Sequence, residues 1–497
     1  MKKIVKLLKG ILVGIVIVSI SIAICMRSEL NPISKRVPTI DSDVYIYIGQ
    51  ELNKGKVIYK DIFDHKGPLF HFIQYIGIKL SFEKYIGVWI IEVISMLIAI
   101  TFLYKTAKLV TNNIALSILS VFMASVPLSL FFINGNYPEE YALPFVSVSL
   151  YFLIKYLKEN KQITKIQDII IGICFGCVCL IKLNLVIIWV IFSFVILINT
   201  IKEKNWKGLK QNIIYFSIGA MIPIIIATIA LIFQQNLVEC FKQYIIFNFK
   251  YSTNAIGDLK GTLEMFLVPI YCISVLGCMV DILYNKLCKK EEIMIPIVSL
   301  IYLVVSLLIL IMPRNEYKHY GIILTPTYIV ALGLLLKDFT EIFKSNKNIG
   351  RTILTIIILF FAILNITRRD IVTLKKETMM VNAKRFEIKE TDLSKYIKEN
   401  TMPKDNILVL GNECNIYLMA ERSCNCKYVY QIPIVLIDSN IMKETIEEIK
   451  EKKPRMIVLK LTNYIEVTRQ FYEYLNETND YKIVDTFDNY EVYYYQK

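Results

Sequence analysis

The feature that most constrains this chain is a series of apolar runs, each about 15 to 24 residues long and almost free of charge. That is the length an α-helix needs to cross a hydrocarbon layer about 30 Å thick. The runs fall at 10–26, 86–104, 112–133, 139–154, 168–181, 185–200, 211–233, 263–283, 293–312, 321–336 and 352–367. Hydrophobic residues make up 55% of the 497, and the mean hydropathy is +0.49, above the range of a typical soluble domain. A soluble protein is excluded, and a polytopic α-helical membrane protein with about eleven transmembrane helices is expected. The first run follows Lys2, Lys3, Lys6 and Lys9, as a signal peptide would. No A-x-A site follows it, and Ile24 stands before Cys25 where a lipoprotein signal needs a small side chain, so it reads as a signal anchor.

A net charge of +14 does not imply nucleic acid, because Lys and Arg sit in short clusters between the apolar runs. Cytoplasmic loops of membrane proteins concentrate positive charge in this way. The clusters at 2–9, 105–108, 155–165, 202–210, 286–290 and 337–351 all fall on one side of the alternating pattern. The chain is thus expected in the plasma (inner) membrane with a cytoplasmic N-terminus. The outer side then carries a long first loop (27–85), the NGNYP turn (134–138), a loop at 234–262, the PRNEYKHY turn (313–320) and everything after about 370. The eleven Cys are scattered, many within apolar runs where a thiol acts as a small hydrophobe, and imply neither a disulfide framework nor a zinc site.

The two domains expected are 1–370, membrane-embedded, and 371–497, a small extracytoplasmic α/β domain. In the second, ILVLG (407–411), MIVLK (456–460), YKIVDTF (481–487) and EVYYY (491–495) read as strands, while 441–452 and 464–475 have helical periodicity. A lone Gly after ILVL is no dinucleotide-binding motif.

Transporters keep ionisable residues within their spans, and few are visible here. Acidic, basic and aromatic residues gather instead in the outer turns: Asp41, Asp43, Tyr45 and Tyr47; Tyr59, Asp61, Asp64, His65 and Lys66; Tyr137, Glu139 and Glu140; Arg314, Tyr317, Lys318, His319 and Tyr320. This asymmetry points to a reaction at the outer membrane face on a substrate whose polar head sits at the interface.

The stretch DSDVYIYIGQELNKGKVIYKDIFDHKGPL (41–69), with PEEYALPF (138–145) and RNEYKHY (314–320), resembles the polyprenyl-phosphate-sugar-dependent glycosyltransferases of the GT-C superfamily. Within it, the chain looks like the bacterial branch related to protein O-mannosyltransferases and lipid A aminoarabinose transferases. The resemblance covers roughly residues 1–370 in topology. It implies an inverting transferase that moves a sugar from a polyprenyl-phosphate donor to an extracytoplasmic glycan, lipid or protein, among membrane lipids and without nucleic acid. A lipid-linked saccharide flippase or polymerase-like protein is the alternative. A flippase needs basic residues along a path between both faces, whereas this chain has one carboxylate and one cationic cluster on the outer side.

By its place after the first span, Asp41 takes the family's catalytic base. Lys66, Arg314 and His319 are the candidate donor-phosphate cations, and Asp64, His65, Glu140 and Tyr320 are the candidates to line the acceptor or donor pocket. Simpler roles stand beside these. Asp41 could cap a helix, with Asp43 in its first turn; Glu139 and Glu140 could serve a helix N-terminus; Arg314 and Lys318 could snorkel. Lys182 and Asn184 interrupt an apolar stretch, Lys182 being a further candidate for the phosphate. No cofactor is required, although a divalent metal bridging Asp64 and a phosphate is an option the family leaves open. The aromatic FKQYIIFNFKY (241–251) reads as an interfacial helix.

Overall fold

The computed structural model describes residues 2–34, 37–39, 41–159, 162–253, 262, 270–285, 293–312, 314, 317–345, 387–461 and 465–496. Of the expected spans, 352–367 and the first part of 263–283 lie outside the described residues, as does Pro313. The helices run α1 (Lys2–Cys25), α2 (Asp41–Asn53), α3 (Pro68–Lys79), α4 (Ile86–Thr111), α5 (Ile114–Phe131), α6 (Pro138–Lys158), α7 (Lys165–Cys179), α8 (Ile187–Glu203) and α9 (Trp206–Phe233). After a short α10 (Leu237–Cys240) comes a π-helical turn, Phe241–Ile246, and then α11 (Phe247–Thr253), α12 (Ile270–Tyr284), α13 (Met294–Ile311), a 3₁₀ turn at Lys318–Leu324 and α14 (Thr325–Ser345). The remaining helices are α15 (Glu387–Asn400), α16 (Asn415–Ala420), α17 (Ile432–Val435), α18 (Asn440–Lys452) and α19 (Ile465–Glu477).

Among the described residues, six helical segments are long and apolar enough to cross a membrane: Lys3–Cys25, Ile86–Thr111, Ile114–Phe131, Trp206–Phe233, Met294–Ile311 and Lys318–Glu341. The chain is a multi-pass membrane protein. The described helices do not reach the expected eleven spans. The runs at 168–181 and 185–200 form helices of 15 and 17 residues, separated at the 3₁₀ turn Leu183–Leu185, and α6 is diluted by Ser, Tyr and Lys.

The chain divides into two compact units, the first made of Met1–Ser28, Ile91–Thr228 and Ala255–Thr378. Its helix starts are written locally. The side chain of Asn113 accepts from the amides of Ala115 and Leu116 at the head of α5, and Thr164 with Gln167 forms a capping box on α7. In this unit α7 and α9 touch backbone to backbone. A Cβ on Gly172 would lie 2.1 Å from the Phe216 carbonyl oxygen, and one on Gly219 2.1 Å from that of Ile169. Small residues permit such approach where apolar burial gives no drive between helices in lipid.

The second unit comprises Glu29–Ile90, Ile229–Asn254 and Met379–Lys497. Its sheet has strands β1 (Ile407–Leu410), β2 (Met456–Lys460), β3 (Tyr481–Phe487) and β4 (Tyr490–Tyr495) in the order β1-β2-β4-β3. β1 and β2 are parallel, with Leu408 opposite Ile457, and the other pairs are antiparallel. The β1–β2 apolar run is buried on both faces, as a parallel pair between layers requires. Helix α2 packs on α3, with the Tyr45 and Phe70 rings edge to face at 4.7 Å, and meets α16 through stacked Tyr47 and Tyr417 at 4.6 Å.

Candidate functional site

Three acids of the second unit start from the same loop and meet different surroundings. Asp41 opens α2, half-buried, and its side chain has no hydrogen-bond partner among the described residues. Asp43, two residues on, is buried and accepts from the amides of Val44 and Asn415, each at 2.8 Å. Burial pushes its carboxyl well above the ordinary range despite those amides.

Asp64 is equally buried, yet lies the other way. Its Oδ1 accepts the Lys66 amide at 2.6 Å and stands 3.5 Å from His71 Nε2, and its Oδ2 accepts the Tyr430 hydroxyl at 3.2 Å. Burial alone would raise the carboxyl, but the His71 imidazole, with Lys66 and His65, outweighs it and holds Asp64 below the usual carboxylate range.

The DHKGP turn is built by neighbours distant in sequence. Lys66 Nζ is 2.6 Å from His65 Nε2 and 5.8 Å from the centre of the Tyr45 ring, while Tyr59 donates its hydroxyl to the Lys66 carbonyl at 2.7 Å. Tyr59 itself takes the left-handed region at φ 66°, a conformation costly for a bulky residue. Gln243 donates to the Tyr59 carbonyl at 2.5 Å and accepts from the Asp64 amide at 3.3 Å, and Asn248 donates to the His65 carbonyl at 2.5 Å. Gln243 and Asn248 are five residues apart, a spacing the π-helical turn places on one side.

In the first unit a second cluster stands at the head of α6. Lys182 pairs with the buried Glu139 at 2.5 Å, and its ammonium lies 4.1 Å from the centre of the Tyr320 ring. His319 stacks flat on Tyr137 at 4.0 Å. Glu140 turns back on its own helix start, accepting from the amides of Asn136 (2.9 Å) and Tyr137 (3.4 Å). The turn before it is close-packed: Gly135, at φ 73°, leaves no room for a Cβ, which would fall 2.4 Å from Ser28 Oγ and 2.7 Å from Glu92 Oε1. Arg314 is exposed, at φ 54°, with no side-chain partner among the described residues.

Of the residues marked in the sequence, Asp41, Asp64, His65 and Lys66 thus fall in the second unit, the last three joined by hydrogen bonds. Glu140, Arg314, His319 and Tyr320 fall in the first, with His319 and Tyr320 adjoining at 4.8 Å. Sequence reading did not mark Tyr430, Gln243, Asn248 or His71. Only the polar positions inside FKQYIIFNFKY carried a signal; Tyr430 carried none. The Asp64 oxygens accept the Lys66 amide and the Tyr430 hydroxyl. Among the described residues no group of three or more His, Cys, Asp and Glu gathers to hold a metal ion.

The fold is similar to that of solved membrane proteins. The chain superposes on ArnT from Cupriavidus metallidurans bound to undecaprenyl phosphate with a TM-score of 0.62, at 9% identity, over 96% of this chain and 97% of that one. With the Archaeoglobus fulgidus oligosaccharyltransferase AglB, in complex with an inhibitory peptide and a dolichol-phosphate, the TM-score is 0.54 at 11% identity, over 94% of this chain and 70% of that one. At these identities the likeness is one of fold. By sequence the chain belongs to the family described as "Putative competence-induced protein Ccs4 N-terminal domain", whose model matches residues 2–365. No curated protein matches it.

Proposed function

We propose that the chain is an inverting glycosyltransferase that moves a sugar from a polyprenyl-phosphate carrier to an acceptor outside the cytoplasm. The observation that carries this reading is the contrast within the second unit. Asp41 is half-exposed and unbonded among the described residues, in the same unit as the DHKGP turn, where the Tyr430 hydroxyl stands between Asp64 and His65 beside Lys66. The likeness of fold to ArnT and AglB supports it.

On this reading Asp41 takes the proton of the acceptor hydroxyl as that oxygen attacks the anomeric carbon from the face opposite the carrier. The new carbon–oxygen bond forms as the bond to the phosphate oxygen breaks, and the polyprenyl phosphate leaves as an anion that needs no proton. It needs positive charge, which Lys66 supplies as an ammonium held between an imidazole and an aromatic ring. Arg314 and His319 keep their assignment to donor phosphate, and Glu140 and Tyr320 to a pocket, by their place in the outer turns of the first unit. A membrane-embedded part, 1–370, with an outer α/β part, 371–497, a cytoplasmic N-terminus and eleven spans complete the reading.

The test is transfer from radiolabelled polyprenyl-phosphate sugars to a membrane extract by purified protein. General-base catalysis contributes roughly 10²- to 10⁴-fold, so Asp41→Asn should lose transfer by about that factor. It should melt with the wild type, because the swap keeps the side chain's size and the half-buried Asp41 makes no side-chain hydrogen bond among the described residues. Full activity in Asp41→Asn would remove Asp41 from the mechanism.

A further inference from the structure

The DHKGP turn ends where α3 begins, and the helix start offers it no side-chain cap. Gly67 stands at the cap position without a side chain, and Pro68, first in the helix, has no amide hydrogen. One turn into α3, His71 reaches back: its Nε2 stands 3.5 Å from Asp64 Oδ1, and the residue is 1% exposed. The Tyr59 ring meets the imidazole edge to face at 5.8 Å. Asp64 Oδ1 is also the oxygen that accepts the Lys66 amide, at 2.6 Å. The His71 ring and the Lys66 backbone thus converge on one carboxylate oxygen.

Asp43 shows what such a carboxyl does without an imidazole beside it. It is as buried as Asp64 and accepts two amides at 2.8 Å, and burial still pushes it well above the ordinary range. Asp64 has one amide and a longer contact, 3.2 Å, with the Tyr430 hydroxyl. Burial acts on it in the same direction, but His71, and after it Lys66 and His65, outweigh burial and hold it below that range. An ionised carboxylate only accepts, so the ring nitrogen that faces it must carry a hydrogen. A carboxyl that took up a proton would turn an O–H toward one of its donors, and that contact would be lost.

We propose that His71 is a positioning residue for Lys66: its Nε2–H braces the Asp64 carboxylate, which holds the Lys66 backbone, so that the start of α3 fixes the cationic turn. This rests on the reading of Lys66 as the cation that holds the donor phosphate. The link passes through one group, the Asp64 carboxylate, so the effect of removing the imidazole should vanish where that carboxylate is already gone.

The measurement is binding of polyprenyl phosphate, without a sugar, to full-length protein in detergent. His71→Leu should weaken it about three- to tenfold, the loss expected when one contact to a charged group goes and the cation is displaced rather than deleted. His71→Gln places an amide N–H near the position of Nε2 and should bind within about twofold of wild type. In an Asp64→Asn background, His71→Leu should cost less than about twofold, because the group through which it acts is missing. Equal losses in both backgrounds would mean that His71 only fills space, and would overturn the proposal. So would a loss in His71→Gln as large as in His71→Leu, or unaltered binding in His71→Leu where Lys66→Ala is weakened. Two readouts need no donor. The chain has three histidines, and in full-length protein labelled with nitrogen-15 at histidine, His71 should carry a hydrogen on Nε2 at neutral pH. A bare Nε2 overturns the proposal even if His71→Leu does not fold. The Lys66 amide should exchange faster in His71→Leu than in wild type, and unchanged exchange overturns it too. If Lys66→Ala binds polyprenyl phosphate as tightly as wild type, the reading of Lys66 fails instead, and the histidine spectra and the Lys66 exchange still decide whether His71 holds the turn.

Discussion

Asp43 and Asp64 are both about 1% exposed, and yet their carboxyls move in opposite directions, because partners rather than burial decide the sign. Two amides do not compensate Asp43 for lost water; an imidazole and an ammonium more than compensate Asp64. A carboxyl raised in the folded state binds its proton more tightly than in the unfolded chain, where it titrates near about 3.9, so it favours folding at low pH and costs stability as pH rises through its folded value. A depressed carboxyl does the reverse: its contribution is present above about pH 3.9 and is lost as pH falls through the folded value. Melting temperatures from pH 3 to 8 should therefore separate the two. Asp43→Asn should flatten the decline of stability above about pH 4, whereas Asp64→Asn should flatten the acid limb below it and lower the melting temperature at pH 7. Identical profiles for the two variants would show that these carboxyls do not titrate differently.

At the scale of elements, the segment 237–253 shows how a helix can be legible while its purpose is not. Its aromatic richness reads as interfacial, and Phe241 and Phe249 are exposed. Helical spacing of 3.6 residues, however, does not put Gln243 and Asn248 on one line; the π turn does, and nothing in the sequence announces that turn. The strands of the C-terminal sheet were readable because short β-rich runs between turn residues have few other uses, and all four lie where that pattern sets them. The number of spans was less readable, since α7 and α8 are too short to count by length although their runs are apolar. Gln243 bridges a carbonyl and an amide of the DHKGP turn, and leaving buried backbone groups unpaired costs about 1–3 kcal/mol each. Gln243→Ala should thus speed hydrogen exchange at the Asp64 amide by about tenfold or more, while Lys242→Ala, one position away and exposed, should not. Equal exchange in both variants would mean the turn holds itself.

For the whole molecule, what escaped the sequence was long-range. The second unit is assembled from three separated stretches, and Asp43 meets Asn415, and Asp64 meets Tyr430, across more than 360 residues, a distance over which neither periodicity nor spacing carries information. Charge distribution, in contrast, acts at this scale directly. The basic clusters lie after alternate apolar runs, and retention of Lys and Arg on the cytoplasmic side orients such chains during insertion. The N-terminus should then be inside and residues after about 370 outside. Single cysteines placed at Asn205, beside the 202–210 cluster, and at Asn476, in the last helix, in a background freed of native thiols, report this with a membrane-impermeant maleimide on intact cells. Asn476→Cys should be labelled at once and Asn205→Cys only after the membrane is opened. The reverse pattern would put Asp41 and Lys66 in the cytoplasm, where an acceptor outside the cell could not reach them, and labelling of both would break the alternation on which the orientation rests.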